Sequence, residues 1–302
     1  DKGFFHGSIN PYTMFLTESE GTLPQLVLGQ SLSAPASVMQ PFLYETIHRS
    51  MADPLGKGRG VMSDDLYALG VSIAVLMRNH DPMAGMGREA VIKHKVEYGS
   101  YVAVTGQDRF RGEILELLRG LLHDDADQRW DVDEAYAWLD GQRLSPRQVV
   151  KVKKAPRPFV IGEDKHLQVP LIAMGLAANP LEVKSSIENG SLLGWVTRSL
   201  EDNAVAERLE KTTDGMRQKA DSASYMNVLA SQVSVALDPE APLRYKNMAV
   251  MGDGMGVLFL DALVKKADIS PFADVFRNSL ILSWLAVQNN TVIDVVGLFF
   301  VY

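Results

Sequence analysis

The stretch from Ser145 to Pro158 carries Pro146, Pro156 and Pro158 together with Arg147, Lys151, Lys153, Lys154 and Arg157. Each proline removes a backbone donor and fixes φ, so neither a continuous helix nor a central strand runs through it. Its like charges repel one another and extend the chain. The chain has 302 residues and 46% hydrophobic content, enough apolar material for a core on either side of this break. The expected organisation is one domain over 1–143, a Pro/basic linker over 144–158 and a second domain over 159–302. Five scattered charges favour a linker over a strip that docks on an acidic or membrane surface.

Composition narrows the function classes. A net charge of −7 and a pI near 5.4 leave no basic footprint for nucleic acid. With no cysteine, disulfides, Cys-ligated zinc and thiol catalysis are excluded. No secretory signal pattern opens the sequence, and a cytoplasmic location is the expectation. Five of the six histidines (His48, His80, His94, His123 and His166) read as surface or turn residues.

The first half holds a set of motifs in order. His6-Gly7-Ser8-Ile9-Asn10-Pro11-Tyr12-Thr13-Met14-Phe15-Leu16 alternates fixed polar and apolar positions, and Leu26-Val27-Leu28 reads as a short strand before Gly29-Gln30-Ser31. Ser63-Asp64-Asp65-Leu66-Tyr67-Ala68-Leu69-Gly70-Val71 opens a helix, and Asn79-His80-Asp81-Pro82-Met83 closes it. Leu121-Leu122-His123-Asp124-Asp125-Ala126-Asp127-Gln128-Arg129-Trp130 precedes an amphipathic segment.

Taken together these resemble the C-lobe of protein kinases, in a degenerate, bacterial-type Ser/Thr pseudokinase form. The first segment is similar to the catalytic loop H-R-D-L-K-P-x-N-I-L-L, and Gly29-Gln30-Ser31 stands where D-F-G would. The resemblance implies that His6 and Asp65 are structural, with Asp65 holding the loop backbone from below. It implies that Arg129 pairs with a carboxylate, for which Asp53 of Met51-Ala52-Asp53-Pro54 is the candidate. The chemical positions differ from the family: the catalytic Asp is Ser8, the Lys is Asn10, the metal-holding Asn is Thr13, and the metal-binding Asp is Gly29. A serine accepts no proton as a carboxylate does, and threonine is a poor Mg²⁺ ligand. Gly7 replaces the Arg that senses a phosphorylated activation loop.

The function this implies is a catalytically inactive kinase-like domain, serving as a scaffold or allosteric module for a protein partner. No metal or cofactor is expected. The family's ATP-binding small lobe would lie upstream of Asp1, so ATP binding cannot be read from these residues. The alternative is an active transferase with relocated chemistry, using Glu18, Glu20 or Asp1 as metal ligands.

The expected fold class is mainly α. Residues 33–62 read as an irregular, activation-segment-like loop, whose Gly56-Lys57-Gly58-Arg59-Gly60 run could be either a loop or a phosphate cradle. Ser63 or Asp64 caps a helix to about Arg78. Another spans 87–96, followed by an extended stretch from Tyr98 to Val104. A helical stripe covers 108–122. Asp131 and Glu134 form a capping-box pair for a helix whose apolar face is Val132, Ala135, Tyr136 and Leu139, with Gly141 ending it.

In the second half, Phe159–Ile161 reads as a strand. Short helices follow over 171–178, 181–188 and 191–200, with Asn179-Pro180 and Asn189-Gly190 as breaks. Longer helices are expected over 214–236 and from Ser270-Pro271 to about Val287. Gly252-Asp253-Gly254-Met255-Gly256 departs from the dinucleotide-loop spacing and reads as a turn between a strand-like segment and a helix. The apolar end at 291–302 is too interrupted to span a membrane and reads as a buried element or the approach to a membrane segment. Membrane contact is expected only there or outside this sequence.

Overall fold

The computed structural model of this chain describes residues 5–17, 23–29, 38–106, 108–145, 147–148, 152–217 and 224–288. Over these the protein is mainly helical, with three two-stranded antiparallel sheets. The chain forms two compact units: one holds residues through Ser50 and then Lys57–Val152, the other Met51–Gly56 and the chain from Lys153 onward.

The first unit opens with a hairpin, β1 (Met14–Thr17) and β2 (Gln25–Leu28), in the register Met14↔Leu28 to Thr17↔Gln25. A short helix α1 (Ile47–Ser50) precedes the central helix α2 (Met62–Arg78). The first turn of α2 is closed by Asp64, whose carboxylate accepts the Val61 N–H at 3.0 Å. Asp64 therefore closes the helix from its third position rather than as the cap residue. α2 buries Leu66, Tyr67, Ala68, Val71 and Ala74. Gly70 faces α5 (Gly112–Leu121), where an added Cβ would come within 2.8 Å of Leu121 Cβ. Asn79 ends α2 in the left-handed region, φ 55°, a conformation in which asparagine is favoured.

Helices α3 (Arg88–Tyr98) and α4 (Ser100–Thr105) follow. The stretch expected to be extended is helical. Gly99, at φ 80°, breaks the chain between two helices, and burial of Ala103, Val104 and Thr105 overrides the strand preference of Tyr-Val-Ala-Val. α6 (Val132–Leu139) has the expected capping box: Glu134 N–H donates to Asp131 Oδ1 at 2.8 Å and Asp131 N–H to Glu134 Oε2 at 3.2 Å. Its inward face is Val132, Ala135 and Trp138. Tyr136 and Leu139, expected on that face, are exposed, because a helix this short turns only one narrow stripe toward α2 and α5.

Gly120 lies against the buried indole of Trp130, and a Cβ there would sit 2.2 Å from Trp130 Cδ2. Gly120→Ala is expected to cost about 2 kcal/mol through overpacking. Urea unfolding should show it, and an unchanged midpoint would mean that the indole moves freely.

The second unit carries β3 (Phe159–Ile161) and β4 (Asp164–His166), then α7 (Val169–Ala178), α8 (Pro180–Glu188) and α9 (Ser191–Trp195), which continues as a π-helical turn over Val196–Leu200. The helix expected over 214–236 is two helices, α10 (Asn203–Arg217) and α11 (Tyr225–Leu237). α11 is buried along most of its length and packs on α7, α8 and α10, so its sequence is apolar nearly all round. β5 (Leu243–Tyr245) and β6 (Met248–Val250) lead through a 3₁₀ turn at Gly252–Gly254 into α12 (Met255–Val264).

The helix expected from Ser270 onward is broken into α13 (Ser270–Arg277) and α14 (Leu280–Leu285), with Ser279 at φ 55° between them. Trp284 of α14 is buried and donates its indole N–H to the Ala241 carbonyl at 2.7 Å. No helix among the described residues is long and apolar enough to cross a membrane. The segment 291–302 lies outside the described residues.

Candidate functional site

The loop from His6 to Thr13 is held by one carboxylate of α2. Asp65 accepts the His6 N–H on one oxygen and the Gly7 N–H on the other, the latter at 2.8 Å. Burial lifts the Asp65 carboxyl above the ordinary aspartate value, against the two amides that pull it down. Next along the loop, Ser8 N–H donates to His6 Nδ1 at 3.2 Å.

The positions that differ from the kinase pattern are built inward. Ser8, Asn10 and Thr13 are all buried. The Thr13 hydroxyl donates to the Ser8 carbonyl at 2.6 Å and accepts the Asn10 N–H at 3.2 Å. Asn10 caps the 3₁₀ turn Pro11–Thr13, its side-chain oxygen accepting the Tyr12 N–H at 3.0 Å. Asn10 Nδ2 donates to Gln40 Oε1 at 2.9 Å, and Gln40 Nε2 donates to the Ile9 carbonyl at 2.8 Å. Nothing in the sequence pattern singled out Gln40. Gly29 N–H closes onto the Thr13 carbonyl at 2.9 Å, which joins the loop to the end of β2. The side-chain groups of Asn10, Thr13 and Gln40 are thus occupied around the loop, and the Asp65 carboxylate is spent on backbone amides.

Beyond the loop, β1 and β2 leave Phe15, Leu16, Leu26, Val27 and Leu28 exposed. A two-stranded hairpin is marginal in water by itself.

Arg129 and Asp53 belong to different units, and each has partners within its own unit. Arg129 Nε donates to the His123 carbonyl at 2.9 Å and Nη1 to Ser63 Oγ at 2.9 Å, and its guanidinium lies 5.1 Å from the Tyr67 ring centroid. Asp53 belongs to the second unit, where its Oδ2 accepts the Ala249 N–H at 2.9 Å. A buried guanidinium needs its donors filled, and here carbonyls and a hydroxyl fill them.

The buried carboxylate of the first unit's irregular segment is Glu45. Lys57 Nζ reaches Glu45 Oε1 at 2.5 Å, both side chains being buried. The lysine of the Gly56–Gly60 run is committed to this ion pair. Burial raises the Glu45 carboxyl above its ordinary value, and Lys57 opposes this.

Lys95 of α3, fully buried, donates to the carbonyls of Leu43 and Glu45, each at 2.7 Å, with the Tyr67 ring centroid 5.2 Å away. Loss of hydration pushes its amine down to about 7, with the Glu45 charge opposing. Neither lysine was legible as a core residue, because lysine ordinarily sits at the surface. His123 is also buried, its ring nitrogens 3.1 Å from the Asp125 carbonyl and 3.0 Å from that of Gln148.

Arg147 pairs with Glu134 at 2.6 Å, Lys153 donates to the Glu201 carbonyl at 2.8 Å, and the Arg157 carbonyl accepts the Trp195 indole N–H at 2.7 Å.

No protein-family model, curated protein or solved structure matches this chain. The site is therefore read from its own geometry. Among the described residues, no group of three or more His, Asp or Glu side chains is placed to hold a metal ion. Asp1, Glu18, Glu20, Gln30 and Ser31 lie outside the described residues.

Proposed function

We propose that the first unit is a protein-kinase-like C-lobe that carries out no phosphotransfer, and that the chain works as a scaffold or allosteric protein-interaction module. The observation that carries this reading is the Asp65 carboxylate on the His6 and Gly7 amides, beneath a loop whose Ser8, Asn10 and Thr13 are buried in internal hydrogen bonds. That contact is the one the resemblance assigns to Asp65. A general base must accept the proton it removes; position 8 offers a serine hydroxyl in place of a carboxylate, and the buried Asn10 and Thr13 side chains are bonded to their neighbours.

The exposed apolar residues of β1 and β2 support a protein partner, as does the absence of a basic surplus that would favour nucleic acid. A cytoplasmic setting and independence from ATP and Mg²⁺ belong to the same proposal. The test is a phosphotransfer assay on the longest native form of the protein with labelled ATP and Mg²⁺. We expect no transfer to the protein itself or to a generic basic substrate. Mg²⁺-dependent transfer that disappears in Ser8→Ala or Thr13→Ala would favour the active-transferase alternative and overturn the proposal.

A further inference from the structure

Within the first unit, the stretch before α1, α1 itself and the first turn of α2 enclose a small cavity lined by Glu45, Thr46, Arg49, Gly60 and Asp64 among others. Its volume is about 20 Å³. A water needs about 10–15 Å³ of such space, so the cavity admits one water-sized group. Two side chains on its wall, Glu45 and Arg49, are each more than nine-tenths buried. Each has one polar atom engaged and one without a protein partner. Glu45 Oε1 takes Lys57, while Oε2 has no hydrogen-bond partner among the described residues. Arg49 Nε lies 3.3 Å from Asp64 Oδ2, while the buried Nη2 has none. Gly60, at φ 86°, gives the guanidinium its place: a Cβ there would stand 3.0 Å from Arg49 Nη2.

The chemistry of the wall selects the occupant. Three carboxylates, Glu45, Asp64 and Asp65, stand against three cations, Arg49 and Arg59 on the wall and Lys57 on Glu45, so net charge favours neither an anion nor a cation. Glu45 Oε2 calls for a donor and Arg49 Nη2 for an acceptor. A simple anion would serve only the guanidinium, and a simple cation only the carboxylate. A water serves both. The charge of Arg49 also acts on the Glu45 carboxyl, drawing it down against the larger effect of burial. Leaving both atoms unmet would cost each its full desolvation.

We propose that this cavity is a binding site for one ordered water, which donates to Glu45 Oε2 and accepts from Arg49 Nη2. The water completes a polar chain from Lys57 through Glu45 and Arg49 to Asp64, and so ties the stretch before α1 to the start of α2. A buried network of this kind is favourable only when every member is satisfied. This holds whether or not the first unit is kinase-like.

The test is a crystal structure of the full chain, with and without a bromide soak, and of Arg49→Met. The parent should show a single peak within about 3.2 Å of both Glu45 Oε2 and Arg49 Nη2, with no anomalous signal from bromide. In Arg49→Met the peak should be lost while the Lys57–Glu45 pair stays. If Arg49→Met does not fold, Arg49→Lys, which keeps a cation beside Asp64 and withdraws Nη2, should lose the peak in the same way. Direct contact of Glu45 Oε2 with Arg49 Nη2 and no peak between them would overturn the proposal. So would the two atoms standing apart with no peak, a bromide signal at the site, a peak bonded to oxygens alone at about 2.4 Å as a hard cation is, or a peak unchanged in the variant.

Discussion

Asp65→Ala is expected to destabilise the first unit by about 3 kcal/mol, the effect of orphaning two partly buried amides that now donate to a carboxylate. The loss is smaller than two charge-assisted hydrogen bonds would suggest, because the substitution also removes a carboxylate whose burial is unfavourable. Asp65→Asn keeps one acceptor oxygen and should lose about half as much. Urea unfolding followed through Trp130 and Trp138, which lie in the first unit, measures this. Exchange at the His6 and Gly7 amides localises it. An alanine variant as stable as the parent would mean that the loop does not depend on α2, and the structural half of the functional proposal would fail with it.

The pH dependence of stability should carry the mark of Lys95. Its amine releases its proton near pH 7 in the folded protein and near 10.5 in the unfolded chain. Between those values the unfolded state binds more protons, so stability rises with pH. The slope is at most about 1.4 kcal/mol per pH unit, and the whole rise is about 5 kcal/mol. Below pH 7 the amine is charged in both states and this contribution is flat.

Lys95→Met has no such group, so the parent should gain on the variant as pH is raised from 7 to 9.5. Measurement stops there because Tyr44 and Tyr67, whose hydroxyls burial pushes up, add an opposing trend once unfolded tyrosines begin to ionise. The charges of Glu45, Asp81 and Asp124 surround the amine and oppose the loss of its proton. Parallel stability profiles for the two proteins would show that Lys95 stays charged in place, held by the Leu43 and Glu45 carbonyls and the Tyr67 ring.

How far the sequence reading reached depends on the range of the interactions involved. The capping box of Asp131 and Glu134 spans three residues, and its hydrogen bonds form wherever that backbone turns. Helix α2 was legible for the same reason, through its first-turn carboxylate and its continuous buried face. The role of Asp65 was legible only through the resemblance, since a carboxylate near a helix start is ordinarily a cap. The helix expected from Ser270 to about Val287 was misjudged where a single residue takes positive φ: Ser279 splits α13 from α14. Serine gives little warning of that conformation, and Ser279 adopts it where packing holds Leu280 and Trp284 in the core.

The sequence by itself determined where helices can start and which stretches are apolar enough to be buried. Tertiary structure alone decided which buried charges meet. Lys57 takes Glu45, Lys95 takes carbonyls, Arg129 takes Ser63 and the His123 carbonyl, and Asp53 leaves with its segment to join β6. The reason is physical. A cap or an apolar stripe is set by neighbours within a turn or two, whereas a buried charge is satisfied by whichever group the whole packing brings within 3 Å, and no local pattern in the chain records that choice.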